Sequence, residues 1–211
     1  MSKIQEISAA VEGGKVKLIE DLIKEAIAAG DDPTAILNDG MIAAMGVVGA
    51  KFQANEVFVP EMLVAAKTMK LGVEVLRPSL AAGVVGALGK CIIGTIAGDL
   101  HDIGKNLVAL MIESAGFEVI DLGVDVPAEK FVETFKANPD TKIVACSALL
   151  TTTMDSLRNT VKALKDAGVQ NTAKIMVGGA PITQEFCDEI GADAYTDDAG
   201  AAAVKAVELV S

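Results

Sequence analysis

Apolar residues recur at helical spacing through the first 82 positions of this 211-residue chain, and beyond residue 90 the pattern changes to short apolar runs alternating with amphipathic stretches. In the first part Ile4, Ile7, Ala10 and Val11 share one helical face, with Ser2 and Gln5 at capping-box spacing before them and Gly13-Gly14 as the stop. Val16, Leu18, Ile19, Leu22, Ile23 and Ala26 predict a second helix ending at Gly30. Asp32-Pro33 reads as an N-cap followed by proline at the first helical position. It opens a third helix through Ile36, Leu37, Met41, Met45 and Val48. Pro60 starts a fourth, carrying Met62, Leu63, Ala66, Met69, Val73 and Leu76. Four helices on short loops predict a small bundle.

Pro78 disfavours helix just before it, and Gly83, Gly86 and Gly89 loosen the chain. A linker is expected at 83–90, separating a helical domain, 1–88, from a second domain, 89–211. In the second domain, strands are expected at 91–97, 118–122, 142–148, 174–178 and 193–195, with helices at 103–115, 127–137, 154–167, 182–190 and 198–210. Five βα units of this spacing imply a flavodoxin-like (Rossmann-type) parallel sheet covered on both faces, with strand order 2-1-3-4-5. The fold class is therefore α plus α/β.

Hydrophobic residues make up 51% of the chain and aromatics only 3%, so the core must rest on Ala, Val, Ile, Leu and Met. A net charge of −11 opposes binding to nucleic acid or to an anionic membrane, because phosphates are repelled. Cys91, Cys146 and Cys187 form no C-x-x-C pair and read as reduced, buried thiols. No signal peptide and no apolar run of about 20 residues is evident, so a cytoplasmic protein is expected.

The chain has one histidine, His101, in the run Gly98-Asp99-Leu100-His101-Asp102-Ile103-Gly104 just after the first predicted strand. A lone histidine excludes a His-rich zinc site. With a carboxylate two residues away, the imidazole can be held in one tautomer with its other nitrogen free for a metal. The crevice between the first and third strands is where ligands bind in such a sheet. His101 follows the first strand, Ser147 to Thr153 follow the third, and Gly178-Gly179 end the fourth, so three segments converge on one edge. The turn lacks the G-x-G-x-x-G spacing, and Asp99 and Asp102 would repel a pyrophosphate, which argues against a dinucleotide.

Asp99-x-His101-x-x-Gly104, Ser147-x-Leu149 after 42 residues and Gly178-Gly179 after a further 28 resemble the cobalamin-binding signature of methionine synthase, the corrinoid mutases and the small corrinoid proteins of anaerobic methyl transfer. Phe52 and the run Phe58-Val59-Pro60-Glu61-Met62-Leu63-Val64-Ala65-Ala66 resemble the helical cap over the methyl face, so the likeness to the free-standing corrinoid proteins spans the chain. The resemblance implies a cobalamin cofactor, as methylcobalamin and cob(I)alamin, with cobalt bound through His101. Asp99 would hydrogen-bond the other imidazole nitrogen. Thr153 stands where methionine synthase has a serine, and brings an extra methyl. Asp102, Ile103 and Gly104 complete the loop; Ser147, Leu149, Thr151, Gly178 and Gly179 would line the slot for the displaced nucleotide tail. Phe52 and Val59 would cover the methyl group, or else belong to the bundle core.

The implied function is a methyl carrier in one-carbon metabolism, an accessory component without a substrate pocket of its own. Its partners would be a substrate-specific methyltransferase, an acceptor methyltransferase and a reductive activation protein, with no nucleic acid and no membrane. The alternatives are the cobalamin-binding subunit of an adenosylcobalamin-dependent mutase, or a cobalamin-dependent sensor.

Overall fold

The computed structural model describes residues 2–80 and 88–210, which divide into a helical unit and an α/β unit at residues 87 and 88. Most of the expected 83–90 linker lies outside the described residues.

The helical unit contains α1 (Lys3–Glu12), α2 (Ile19–Ala29), α3 (Pro33–Gln53) and α4 (Val59–Leu76). Their ends follow from local chemistry. The Ser2 hydroxyl accepts from the Gln5 N–H while the Gln5 side chain accepts from the Ser2 N–H, satisfying two otherwise unpaired donors. Gly30 ends α2 in the left-handed region, where a residue without Cβ pays no steric penalty. The Asp32 carboxylate accepts from the Thr34 and Ala35 N–H groups, and Glu61 accepts from the Phe58 N–H at the start of α4. Val16 and Leu18, expected within α2, precede it.

The core of this unit joins Ile7 and Val11 of α1, Ile19 and Ile23 of α2, Ile36, Met41 and Met45 of α3, and Met62, Met69 and Leu76 of α4. A fully buried side chain of this size contributes about 2 kcal/mol. Gly72 permits close packing, since a Cβ there would lie 2.5 Å from Met41 Cε and 3.0 Å from Ile23 Cδ1. Two features depart from the pattern read in the sequence. Within α3, residues Ile36–Ile42 wind as a π-helix. The same helix is long and apolar enough, at 21 residues and mean hydropathy 1.3, to cross a bilayer by length and composition alone. Its apolar residues Ile36, Leu37, Met41, Met45 and Val48 are nevertheless buried in the helical core.

The second unit runs β1 (Lys90–Thr95), α5 (Ile103–Ser114), β2 (Glu118–Asp121), α6 (Ala128–Ala137), β3 (Thr141–Ser147), α7 (Met154–Asp166), β4 (Lys174–Gly178), α8 (Gln184–Ile190), β5 (Ala194–Tyr195) and α9 (Ala199–Val210). All strand pairs are parallel, and the order is β2-β1-β3-β4-β5, as expected. β1 stops at Thr95 rather than at residue 97; Ile96 beyond it still donates to the Ser147 carbonyl and forms an isolated bridge with Val126. Both faces of the sheet are covered, so the strands read as continuous apolar runs: Cys91, Ile92 and Ile93 in β1, Ile143 to Cys146 in β3. Gly94 interrupts β1 because Phe131 of α6 lies over it, with Cζ 2.9 Å from where a Cβ would stand.

The three cysteines are free and buried. Burial pushes the Cys146 thiol up to about 12 and, with help from the charges of Asp188 and Asp193, the Cys187 thiol up to about 11; burial also raises Cys91. All three should therefore resist a water-soluble disulfide reagent at neutral pH in the native protein and react together once urea unfolds it. Rapid reaction of any one without denaturant would contradict this packing.

Candidate functional site

Thr95, Ser147 and Gly178 are register partners across three adjacent strands, so the carboxyl ends of β1, β3 and β4 present one row of small residues. The β1–α5 loop rises from this row. Thr95 is buried, and its hydroxyl donates to the His101 carbonyl at 2.8 Å, fixing the far side of the loop. Gly98 turns the chain at φ 84°, and Asp99 follows with 0% exposure.

The Asp99 carboxylate organises the site. One oxygen, Oδ1, accepts from the His101 N–H at 3.1 Å and lies 2.7 Å from His101 Nδ1. The other, Oδ2, accepts from the Leu149 N–H at 2.6 Å, the Leu150 N–H at 3.2 Å and the Thr153 hydroxyl at 3.3 Å. Burial alone would raise its pKa. The hydrogen bonds from Leu149, His101 and Leu150 outweigh that and hold it down at about 2. An ionised carboxylate only accepts, so Nδ1 of His101 carries a proton, which leaves Nε2 as the nitrogen that could offer a lone pair to a metal. The His101 side chain is 50% exposed.

Thr153 lies within hydrogen-bond distance of Asp99 at 3.3 Å. Its hydroxyl has a second, shorter partner, the Leu150 carbonyl at 2.9 Å, so its single proton is divided between two acceptors. The extra methyl is accommodated against the turn: Cγ2 lies 3.4 Å from where a Cβ on Gly98 would stand.

The remaining candidates separate clearly. Ile103 is 83% exposed, and with Leu100, Leu149 and Leu150 forms an exposed apolar rim at the same sheet edge as His101. Nothing lies within 4 Å of a Cβ built on Gly104, leaving open space above the first turn of α5. Gly179, at φ 125°, brings its backbone so near Ala148 that a Cβ would sit 1.8 Å from the Ala148 carbonyl oxygen; no other residue fits. Ser147 and Gly178 end their strands, and Thr151 begins an exposed turn before α7. Asp102 opens α5: its carbonyl and carboxylate accept from the Asn106 N–H and side chain. Phe52 and Val59 belong to the helical unit. Phe52 is half-buried near the end of α3, whereas Val59 begins α4 40% exposed, outside the bundle core.

Four further residues brace the loop and were not apparent in the sequence: Thr95, Lys105, Asp121 and Asp125. Lys105 is nearly buried and paired with Asp121 at 2.5 Å. Among the described residues no group of three or more His, Cys, Asp or Glu could hold a bare metal ion. The donor set is one imidazole nitrogen beside an apolar rim and open glycine backbone. That fits a metal already chelated by a large organic ring and needing a single axial ligand.

The comparisons agree with this chemistry. A B12 binding domain model matches residues 89–207, and a second B12 binding domain model matches residues 3–77. The trimethylamine corrinoid protein of Methanosarcina barkeri is 46% identical over 191 residues, covering 90% of this chain and 88% of the relative. Dimethylamine corrinoid protein 3 of Methanosarcina acetivorans is 41% identical over 207 residues, covering 98% and 96%. The crystal structure of the methanol:cobalamin methyltransferase complex from Methanosarcina barkeri contains a chain 28% identical, with a TM-score of 0.83 over 99% of this chain and 79% of that one. The chain belongs to the methyltransferase-associated, B12-binding corrinoid proteins. It binds a corrinoid and carries a methyl group between methyltransferases.

Replacing Asp99 with Asn keeps the shape but turns one acceptor into a donor facing N–H groups. Leaving such donors unpaired costs about 1–3 kcal/mol at neutral pH. The wild-type carboxyl titrates lower when folded than its ordinary value of 3.8, so its stabilising contribution is present above pH 4 and is lost as pH falls towards 2. Urea unfolding of both proteins from pH 7 to pH 2 should show the stability gap narrowing through that window. A gap that persists unchanged to pH 2 would contradict the charged hydrogen-bond set.

Proposed function

We propose that His101 Nε2 is the lower axial ligand of the corrinoid cobalt, with Asp99 holding the ring and Thr153 completing the relay. The observation that carries this is the 2.7 Å contact between His101 Nδ1 and a fully buried carboxylate, which commits the second nitrogen to face outwards as a lone-pair donor. Leu100, Ile103, Leu149 and Leu150 give the corrin ring an apolar rim. Ser147, Leu149, Thr151, Gly178 and Gly179 supply a slot with little side-chain bulk for the nucleotide tail. When bound, the corrinoid supplies the cobalt centre that accepts and releases the methyl group; the chain supplies ligation, orientation and exclusion of water.

Residues 1–88 serve, in this reading, as the cap over the methyl face and residues 89–211 as the cobalamin-binding domain. The exposed apolar residues Phe58, Val59, Leu63 and Val64 of the helical unit support a covering role, with Phe52 alongside. The protein acts in the cytoplasm between a substrate-specific methyltransferase and an acceptor methyltransferase, with a reductive activation protein restoring the cofactor. The names of the two methylamine relatives support a methylamine as donor. Transfer to the bound corrinoid should then proceed with a methylamine methyltransferase and fail with a methanol one; the reverse result would move the donor class.

The ligand assignment is tested with His101→Ala. The side chain is half-exposed in a loop, so the variant should fold, with a urea midpoint lowered by loss of the ring's hydrogen bond to Asp99. Loaded with cob(II)alamin, it should lose the nitrogen hyperfine splitting that wild type shows by electron paramagnetic resonance. The same splitting in the variant would refute His101 as the ligand.

A further inference from the structure

The Asp99 side chain is held from the β3 side, but the main chain that carries it is held from the opposite side, by the loop that leaves the edge strand β2. The Asp125 carboxylate accepts from the Gly98 N–H at 2.7 Å, and the Asp125 N–H donates to the Asp99 carbonyl at 2.9 Å. One residue thus grips both sides of the turn that aims Asp99 and His101. The grip requires an unusual backbone: Asp125 has φ 53°, one of two non-glycine residues in the left-handed region among the described residues, and Gly123 two positions earlier has φ 86°.

The root of the same loop is anchored too. Asp121 accepts from the Gly123 N–H with one oxygen and pairs with Lys105, whose side chain is 2% exposed, with the other. Val126 closes the far end, donating to Thr95 and bridging Ile96. The carboxylates of Asp121 and Asp125 therefore reach the two ends of the His101 segment, Lys105 beyond it and Gly98 before it.

We propose that Asp125 is a positioning residue for His101: its left-handed backbone and its carboxylate together set the main-chain turn from which the imidazole is presented. Asp125 acts through Gly98 and Asp99, the residues it hydrogen-bonds. The inference rests on His101 being the cobalt ligand, and it adds that the direction of Nε2 is set from the edge strand as well as from β3. A left-handed aspartate at a plain surface turn would need no partner. This one spends both its main-chain donor and its carboxylate on the residues flanking the relay.

The test separates backbone from acceptor. Asp125→Gly keeps the left-handed conformation, so the chain should fold, but it removes the carboxylate. Asp125→Asn keeps an oxygen acceptor in a residue that also tolerates that conformation. Because His101 is the only histidine, a long-range nitrogen–proton spectrum of the cofactor-free protein contains one imidazole. Wild type and Asp125→Asn should show a single set of imidazole signals with the proton on Nδ1. In Asp125→Gly those signals should broaden or shift towards averaged tautomers while the urea midpoint stays near wild type. Loaded with cob(II)alamin, the Gly variant should show a reduced fraction of the nitrogen-split signal at fixed pH, and Asn should restore it. Imidazole spectra and nitrogen-split fractions in Asp125→Gly identical to wild type would overturn the proposal, as would failure of Asn to restore them. If wild type itself showed no nitrogen splitting, the ligand assignment would fall, while the cofactor-free spectra would still report whether Asp125 orients the ring.

Discussion

A carboxylate with no exposed surface accepts from two main-chain N–H groups of the β3–α7 turn, one hydroxyl, and the main chain and ring of a histidine. Everything functional in the α/β unit depends on that concentration of donors around Asp99. Burying an unpaired charge is prohibitive, so the donors must be in place before the charge can be buried. In this fold they come from two segments 50 residues apart in sequence, which meet only because β1 and β3 are neighbours. The doubly wound order is thus what makes the site chemically possible: it brings the end of β3 alongside the end of β1 and leaves the imidazole on the open side.

The consequence for a carrier protein is selectivity in what it binds. One imidazole nitrogen, an apolar rim and glycine backbone offer little to a hydrated cation. They suit a flat, ring-bound metal that lacks one ligand. The protein's negative charge and the acidic residues around the loop work in the same direction, against anionic ligands at that edge.

Much of this was legible from the sequence because the informative signals are local. The change of hydrophobic period near residue 90, the glycine and proline punctuation, and the uniqueness of His101 need no knowledge of tertiary structure. Asp99 and Thr153 were singled out by the resemblance to the cobalamin-binding proteins, Thr153 as the position where methionine synthase has a serine. The bracing residues were not. Thr95 sits in an apolar strand and looks like a strand residue. Lys105 looks like a solvated lysine early in a helix, and only the alignment of β2 beside β1 buries it against Asp121. Asp125 looks like an ordinary turn residue; its importance comes from a φ angle and two hydrogen bonds that no periodicity encodes. Phe52 and Val59 were half-legible: Pro60 marks the start of α4, but whether Val59 faces inwards is decided by packing.

The π-wound stretch in α3 resolves an arithmetical mismatch in the chain. The buried residues of this helix are Ile36, Leu37, Gly40, Met41, Ala44, Met45, Val48 and Gly49, a strict repeat of four. An ideal α-helix turns once in 3.6 residues, so a repeat of four drifts around its surface by roughly 40° each time. Over this length the stripe would spiral away from its neighbours, or the bundle would have to coil about itself to follow it. Winding residues 36–42 more loosely takes up that excess twist at the start of the stripe. A straight rod can then keep one edge against α1 and α4 along its whole length, with Gly40 set close to Ile4 and Ile7, and Met41 against Gly72.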